Sequence, residues 1–268
     1  MHPNLDAMEK ISKAQVKLVR SLQQKKFRDE LGLFVAEGEK CVEELRKGFE
    51  LVFRVQSTDR CADRTQTDTL IATPTEIEQM SGLRTPQGVI GVFRKSDKSD
   101  GLDRSDGLIL ALDGIQDPGN LGTIIRTCDW FGVHDIFCSK DTADCYNPKV
   151  VQATMGALAR VRIHYVDLPE FLKEYRTQTA SLTEYRPIYG TLLDGQNMYE
   201  TELCQDGLII MGNEGNGISE AVRKLVTHPI RIPSYPNKEA SDVVESLNVS
   251  IATAIVLAEF RSSGSTPA

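Results

Sequence analysis

From Leu108 to Phe260 the chain alternates short apolar strand-like runs with helical ones, and no other feature narrows the possible fold as far. The pattern predicts strands at Leu108 to Leu112, Asp135 to Cys138, Arg162 to Val166, Ile188 to Leu192, Gly207 to Met211 and Pro229 to Ile232. Helices are expected at Leu121 to Phe131, Pro148 to Ala159, Leu168 to Tyr175, Glu220 to Leu225 and Leu247 to Phe260. Alternation at this spacing calls for a mostly parallel sheet covered by helices on both faces, an α/β fold. Such sheets bind ligands beyond the carboxyl ends of their strands, which directs attention to the loops there.

At 268 residues the chain exceeds the usual single-domain size, so two units are expected. Residues 1–95 read as a smaller α/β domain: a helical region from about Asn4 to Arg28, strands at Gly32 to Ala36, Leu51 to Val55 and Gly88 to Arg94, and helices at Gly38 to Lys47 and Thr75 to Ser81. Thr58 to Thr69 reads as a loop. Residues 96–106, rich in Ser, Asp, Gly and Lys, read as a linker, and residues 107–268 as the second domain.

A net charge of −7 argues against a surface coated in positive charge, but nucleic-acid binding depends on local patches. One stretch is basic: Lys10, Lys13, Lys17, Arg20, Lys25, Lys26 and Arg28 have Glu9 as their only acid. Helical spacing puts several on one face, where they would meet phosphates or simply face solvent. The six cysteines form no C-x-x-C pair and have no partnering His cluster, so no metal is expected. No signal-like leader opens the chain and no apolar run is long enough to span a bilayer, so a reducing cytoplasm is the expected compartment.

Three loops carry candidate chemistry. In Asp113 to Arg126 a strand end runs through a Gly/Pro turn into a helix, placing Asn120 at its mouth and Arg126 nearly two turns on. Capping alone would explain an Asn there. The second loop, Met211-Gly-Asn-Glu214-Gly-Asn-Gly217, is glycine-rich but fits neither G-x-G-x-x-G nor the P-loop, and Glu214 would repel phosphate. The third is Ser246-Leu247-Asn248-Val249-Ser250, a polar opening to an apolar helix, with Ser246 as the expected N-cap. A Rossmann-type nucleotide enzyme would need a glycine fingerprint that Asp113 to Gly122 lacks.

Together the three loops resemble the signature motifs of the SpoU (TrmH-like) branch of the SPOUT superfamily of RNA methyltransferases, over roughly Leu108 to Arg261. Ser21 to Arg28 followed by Gly32 to Lys40 is similar to the L30e-like substrate-binding domain that precedes the catalytic domain in rRNA-directed members. The resemblance implies a trefoil-knotted catalytic domain, a homodimer, and S-adenosylmethionine as cofactor. It implies methylation of a ribose 2′-hydroxyl, in rRNA by analogy with members carrying such an N-terminal domain. A tRNA ribose methylase and a catalytically inactive RNA-binding homologue are the alternatives.

By the same resemblance Thr191, Leu192, Gly212, Asn213, Gly215, Ile232, Pro233 and Leu247 hold the cofactor. Arg126 is catalytic, with Asn120, Glu214, Ser246 and Asn248 orienting it and the nucleotide, and Lys17, Arg20, Lys25, Lys26 and Arg28 meet RNA. The family proposal makes the arginine a base. A guanidinium normally stays charged, so stabilising the developing oxyanion and gripping the adjacent phosphate is the easier role. The segment Ser234 to Glu245 departs from the family's short Met/Gly-containing turn, being twelve mostly polar residues without glycine.

Overall fold

The computed structural model describes residues 9–60, 69–96, 107–180, 186–235 and 246–262. By contacts it divides into two units, residues 1–98 with 144–159, and residues 99–143 with 160–268. Residues 144–159 were placed by sequence in the second domain, yet they pack with the first unit. Most of the expected 96–106 linker lies outside the described residues.

The first unit opens on α1 (Lys13–Ser21), started by a capping box in which the Ser12 and Gln15 side chains each serve the other's backbone N–H. Then follow α2 (Lys25–Leu31), β1 (Leu33–Glu37), α3 (Glu39–Leu45), β2 (Leu51–Ser57), β3 (Thr69–Ala72), α4 (Pro74–Met80) and β4 (Val89–Arg94). A second capping box, Thr73 with Glu76, opens α4. The sheet order is β1-β4-β2-β3, with β4 antiparallel to both neighbours and β2 parallel to β3. Val19 and Leu22 of the first helical segment, Ile77 and Met80 of α4, and Val35, Val55, Ile90 and Val92 of the sheet form its core.

Two expectations change here. The single helical region breaks at residues 22–24, where the Arg28 guanidinium donates to the carbonyls of Leu22 (2.9 Å) and Gln23 (3.0 Å). The same group pairs with Asp144 at 2.7 Å and is only 2% exposed, so Arg28 is a structural residue and is removed from the RNA-facing set. Thr69, expected to end a loop, instead begins β3, a short buried strand.

The second unit contains β5 (Leu108–Asp113), α5 (Pro118–Trp130), β6 (Asp135–Ser139), β7 (Arg162–Val166), α7 (Leu168–Ala180), β8 (Ile188–Asn197), β9 (Gly207–Gly212), α8 (Glu220–Arg223), β10 (His228–Arg231) and α9 (Val249–Ser262). The intervening α6 (Pro148–Thr154) is the helix that packs with the first unit. All six strands pair in parallel, in the order β10-β8-β9-β5-β6-β7. Central β5 is buried along its whole length, as a strand covered on both faces must be. One face packs Ile109, Ala111, Ile188, Leu208 and Ile210 against Phe171, Leu172 and Tyr175 of α7.

Candidate cofactor and catalytic site

The loops leaving β5 and β9 are tied together by side chains rather than by packing. Asn213 donates through Nδ2 to the Gly114 carbonyl (2.7 Å), and its Oδ1 accepts from the backbones of Gly215 (2.9 Å) and Asn216 (3.1 Å). Asp113, buried at the end of β5, accepts from the Ser219 backbone at 2.7 Å. The β9 loop folds back through a backbone pairing of Asn213 with Gly217. A Cβ on Gly212 would lie 2.4 Å from the Gly217 carbonyl carbon, so only glycine allows that return.

Asn120 does not cap α5. The cap is Asp117, which accepts from the Asn120 backbone N–H at 2.8 Å, with Pro118 at the first helical position. The Asn120 side chain is therefore free for other work, and its Nδ2 donates to Glu214 Oε1 in a short hydrogen bond. Asn248 Nδ2 donates to Asn120 Oδ1 at 2.9 Å and to Glu214 Oε1 at 3.4 Å. One residue from each of the three loops thus meets in a single polar clasp.

Asn248 also performs the capping expected of Ser246. Its Oδ1 accepts from the Ser250 backbone (3.0 Å), the Ser250 hydroxyl (2.6 Å) and the Ile251 backbone (3.4 Å), so α9 begins at Val249. Ser246 is exposed and makes no hydrogen bond among the described residues. Arg126 is likewise exposed on α5 and has no hydrogen-bonding or ionic partner among the described residues. The clasp joins Asn120, Glu214 and Asn248, while Arg126 and Ser246 are not bonded to it.

Beside the clasp, β8 leaves its ladders. It pairs with β9 only at Ile188 to Gly190, and with β10 at Tyr189 and Gly190 and again at Gln196 and Asn197. Residues 191–195 therefore have no ladder partner; the Gly195 carbonyl accepts from Arg231 Nε at 3.0 Å, and the backbone groups of residues 191–194 stand outside the ladders. Thr191 is fixed there by its hydroxyl donating to the Ile210 carbonyl (3.0 Å), with Leu192 half-buried and Leu193 84% exposed. Ile232 and Pro233 leave β10 half-buried, and Leu247 is exposed before α9. Spare backbone donors and acceptors, apolar side chains and a carboxylate with no phosphate-binding lysine among them suit a cation carrying an aromatic base. S-adenosylmethionine has that chemistry, so the residues present fit it. Among the described residues no group of three His, Cys, Asp or Glu could hold a metal ion.

Sequence reasoning missed Asp117 as cap and Asn213 as loop tie. The Asp117-Pro118 pair was a usable signal for the first, because an acid before a proline is a standard way to start a helix. No local signal reveals the second, whose partner is distant in sequence.

Of the first unit's expected RNA-facing residues, Lys17, Arg20, Lys25 and Lys26 are exposed. Lys25 is paired with Asp29 at 2.6 Å, an exposed contact that leaves it reachable.

The polar cluster sits where parallel α/β sheets take their ligands, at the carboxyl ends of the strands, and the class of protein it defines is an α/β enzyme. The chain belongs to the SpoU rRNA methylase family, whose profile matches residues 107–258. An MRM3-like substrate binding domain matches residues 13–91. An uncharacterized tRNA/rRNA methyltransferase of Synechocystis is 30% identical over 97% of this chain and 96% of its own length. The 23S rRNA (guanosine(2553)-2'-O)-methyltransferase RlmP of Bacillus subtilis is 28% identical, covering 95% of this chain and 98% of its own. Among solved structures, a TrmH-family protein of Porphyromonas gingivalis superposes with a TM-score of 0.80 at 36% identity, over 93% of this chain and 98% of that one. An AdoMet-bound rRNA methyltransferase of Sinorhizobium meliloti gives 0.78 at 27% identity, over 97% and 98%.

Proposed function

We propose that the protein transfers the methyl group of S-adenosylmethionine to a ribose 2′-hydroxyl of ribosomal RNA. The observation that carries this reading is the meeting of Asn120, Glu214 and Asn248, which lie 94 and 34 residues apart in sequence. Family membership and the full-length relative RlmP, a 23S rRNA methyltransferase, support the substrate. The cofactor supplies an electrophilic methyl on a positive sulfonium.

The chain's own contribution is alignment and charge. Thr191, Leu192, Gly212, Ile232, Pro233 and Leu247, with the backbone of Asn213 and Gly215, bind the cofactor, largely through backbone groups. Glu214 holds Asn120 and Asn248 in register, so the nucleotide meets a preset polar surface and the reacting oxygen is held in line. Arg126 brings an unneutralised guanidinium to the ribose oxygen and its neighbouring phosphate, stabilising the negative charge that develops as the proton leaves. Ser246 stands ready to contact the nucleotide.

The working unit is a homodimer. Helices α5 and α9 lie side by side with their starts joined at Asn120 and Asn248, and their ends joined by Arg261 donating to the Phe131 carbonyl at 2.8 Å. This pair exposes Trp130 (84%) and Ile251 (54%), apolar surface that a second copy would cover. The trefoil knot implied by the family belongs to this reading, and residues 236–245 of the atypical segment lie outside those described. A cytoplasmic place of action goes with the ribosomal RNA substrate, and no described helix is long and apolar enough to cross a membrane.

Calorimetry and turnover on Arg126→Ala test the site. Cofactor affinity within about twofold of wild type with turnover abolished is expected, because the guanidinium acts only on the oxygen side. Normal turnover in this variant removes Arg126 from the mechanism.

A further inference from the structure

We propose that the first unit carries a nucleobase-binding pocket at the end of α1, which takes an unpaired base of the substrate RNA; this rests on the RNA methyltransferase reading above. An open groove of about 460 Å³ lies there, lined by Arg20, Gln23 and Gln24 on one side and by Glu78, Gln79, Met80 and Ser81 on the other. Its size is in the range of small-molecule sites.

The lining chemistry selects the ligand. Three neutral amides each offer a donor and an acceptor, the complement of a base edge. The single cation, Arg20, shares the lining with the carboxylate of Glu78, so the groove does not favour a phosphate or another compact anion. RNA is read in sequence through splayed, unpaired bases, which stack on aromatic or guanidinium planes and hydrogen-bond along their edges; here Arg20 offers the plane and the amides the edge partners.

The slot is also preset. Gln23 Nε2 donates to the Met80 carbonyl at 3.2 Å, which fixes the amide and presents its Oε1 beside Gly82. A Cβ on Gly82 would come within 2.5 Å of that oxygen, so the glycine keeps the acceptor in place. Buried Glu37 anchors the wall behind it, accepting from the Ser81 hydroxyl (2.5 Å) and the Gly82 backbone (2.7 Å). Gln24 stands at the N-cap of α2 without making a cap hydrogen bond, and Gln79 is exposed with no partner among the described residues. Both amides are available.

A phosphate track leads to the slot. Lys13, Lys17 and Arg20 are exposed and recur on one face of α1 at helical spacing, and Arg20 is also a pocket residue. The backbone would follow the lysines, and the base would turn in beside Arg20.

Salt dependence separates base from phosphate contacts. Binding of unmodified 23S rRNA, transcribed in vitro, is measured across a salt series for wild type, Gln24→Ala/Gln79→Ala and Lys13→Gln/Lys17→Gln. The amide variant should bind about tenfold more weakly at every salt concentration with the wild-type slope, whereas the lysine variant should lose slope. In steady state the amide variant should raise KM for RNA and leave kcat and S-adenosylmethionine affinity unchanged. Wild-type affinity in the amide variant, or a loss accompanied by reduced slope, overturns the pocket. If wild type methylates the transcript while the amide variant binds normally, only the pocket falls. If wild type binds cofactor but methylates no RNA, the functional reading falls and the binding comparison still judges the pocket. Failure of wild type to bind the transcript at all refutes both.

Discussion

Asn248 holds two jobs that can be separated by substitution. Its oxygen caps α9 while its nitrogen donates to Asn120 and Glu214. Asn248→Asp keeps a good capping oxygen but sets a carboxylate against Glu214, so the melting temperature should stay near wild type while kcat/KM falls on the order of 10²-fold. Asn248→Ala should lose the same activity and about 1 kcal/mol of stability as well. Equal stability losses in the two variants would contradict the division. The sequence made Asn120, Glu214 and Asn248 legible as candidate site residues only through their motifs. It placed the α9 cap on Ser246 instead of Asn248 and did not single out Asp117 for α5, because Asn, Asp and Ser cap almost equally well and only the fold decides which oxygen faces the helix. Arg28 was misread for a related reason: a basic residue in a basic stretch gives no sign of a partner 116 residues away.

At the scale of elements, the β6–β7 edge is held by a carboxylate with a readable acid response. Burial raises Asp135, but hydrogen bonds from His164 (2.9 Å) and Arg162 (2.7 Å) overcome that and bring it from 3.8 down to about 2. The folded chain releases this proton more readily than the unfolded one, so the stabilisation is present above about pH 4 and disappears as pH falls toward 2. His164→Phe retains a ring against Phe137, which His164 stacks upon at 4.6 Å, and removes one hydrogen bond. It should lower the melting temperature at pH 6 and make the fall between pH 4 and pH 2 shallower; an acid limb identical to wild type would refute the coupling. Strong apolar runs such as β5 and β9 were plain from pattern alone. Less visible were element starts, since the capping turn of α5 carries no apolar period, and β3, whose four residues are too few to show one.

For the whole molecule, the parallel sheet followed from alternation, but strand order did not, because pairing is decided by contacts between distant segments. The grouping of residues 144–159 with the first unit was equally invisible to composition. The exposed face of α5 and α9 makes the dimer testable: Trp130→Glu/Ile251→Glu should sediment as a monomer while wild type sediments as a dimer. A variant that remains dimeric places the interface elsewhere.

The most direct measurement is the chemical position of the transferred methyl. Wild type incubated with labelled S-adenosylmethionine and unmodified 23S rRNA should place label on a ribose 2′-oxygen, making the adjacent phosphodiester resistant to alkali, and Arg126→Ala should place none. Label recovered on a base, or cofactor binding without any transfer to rRNA, would contradict the account.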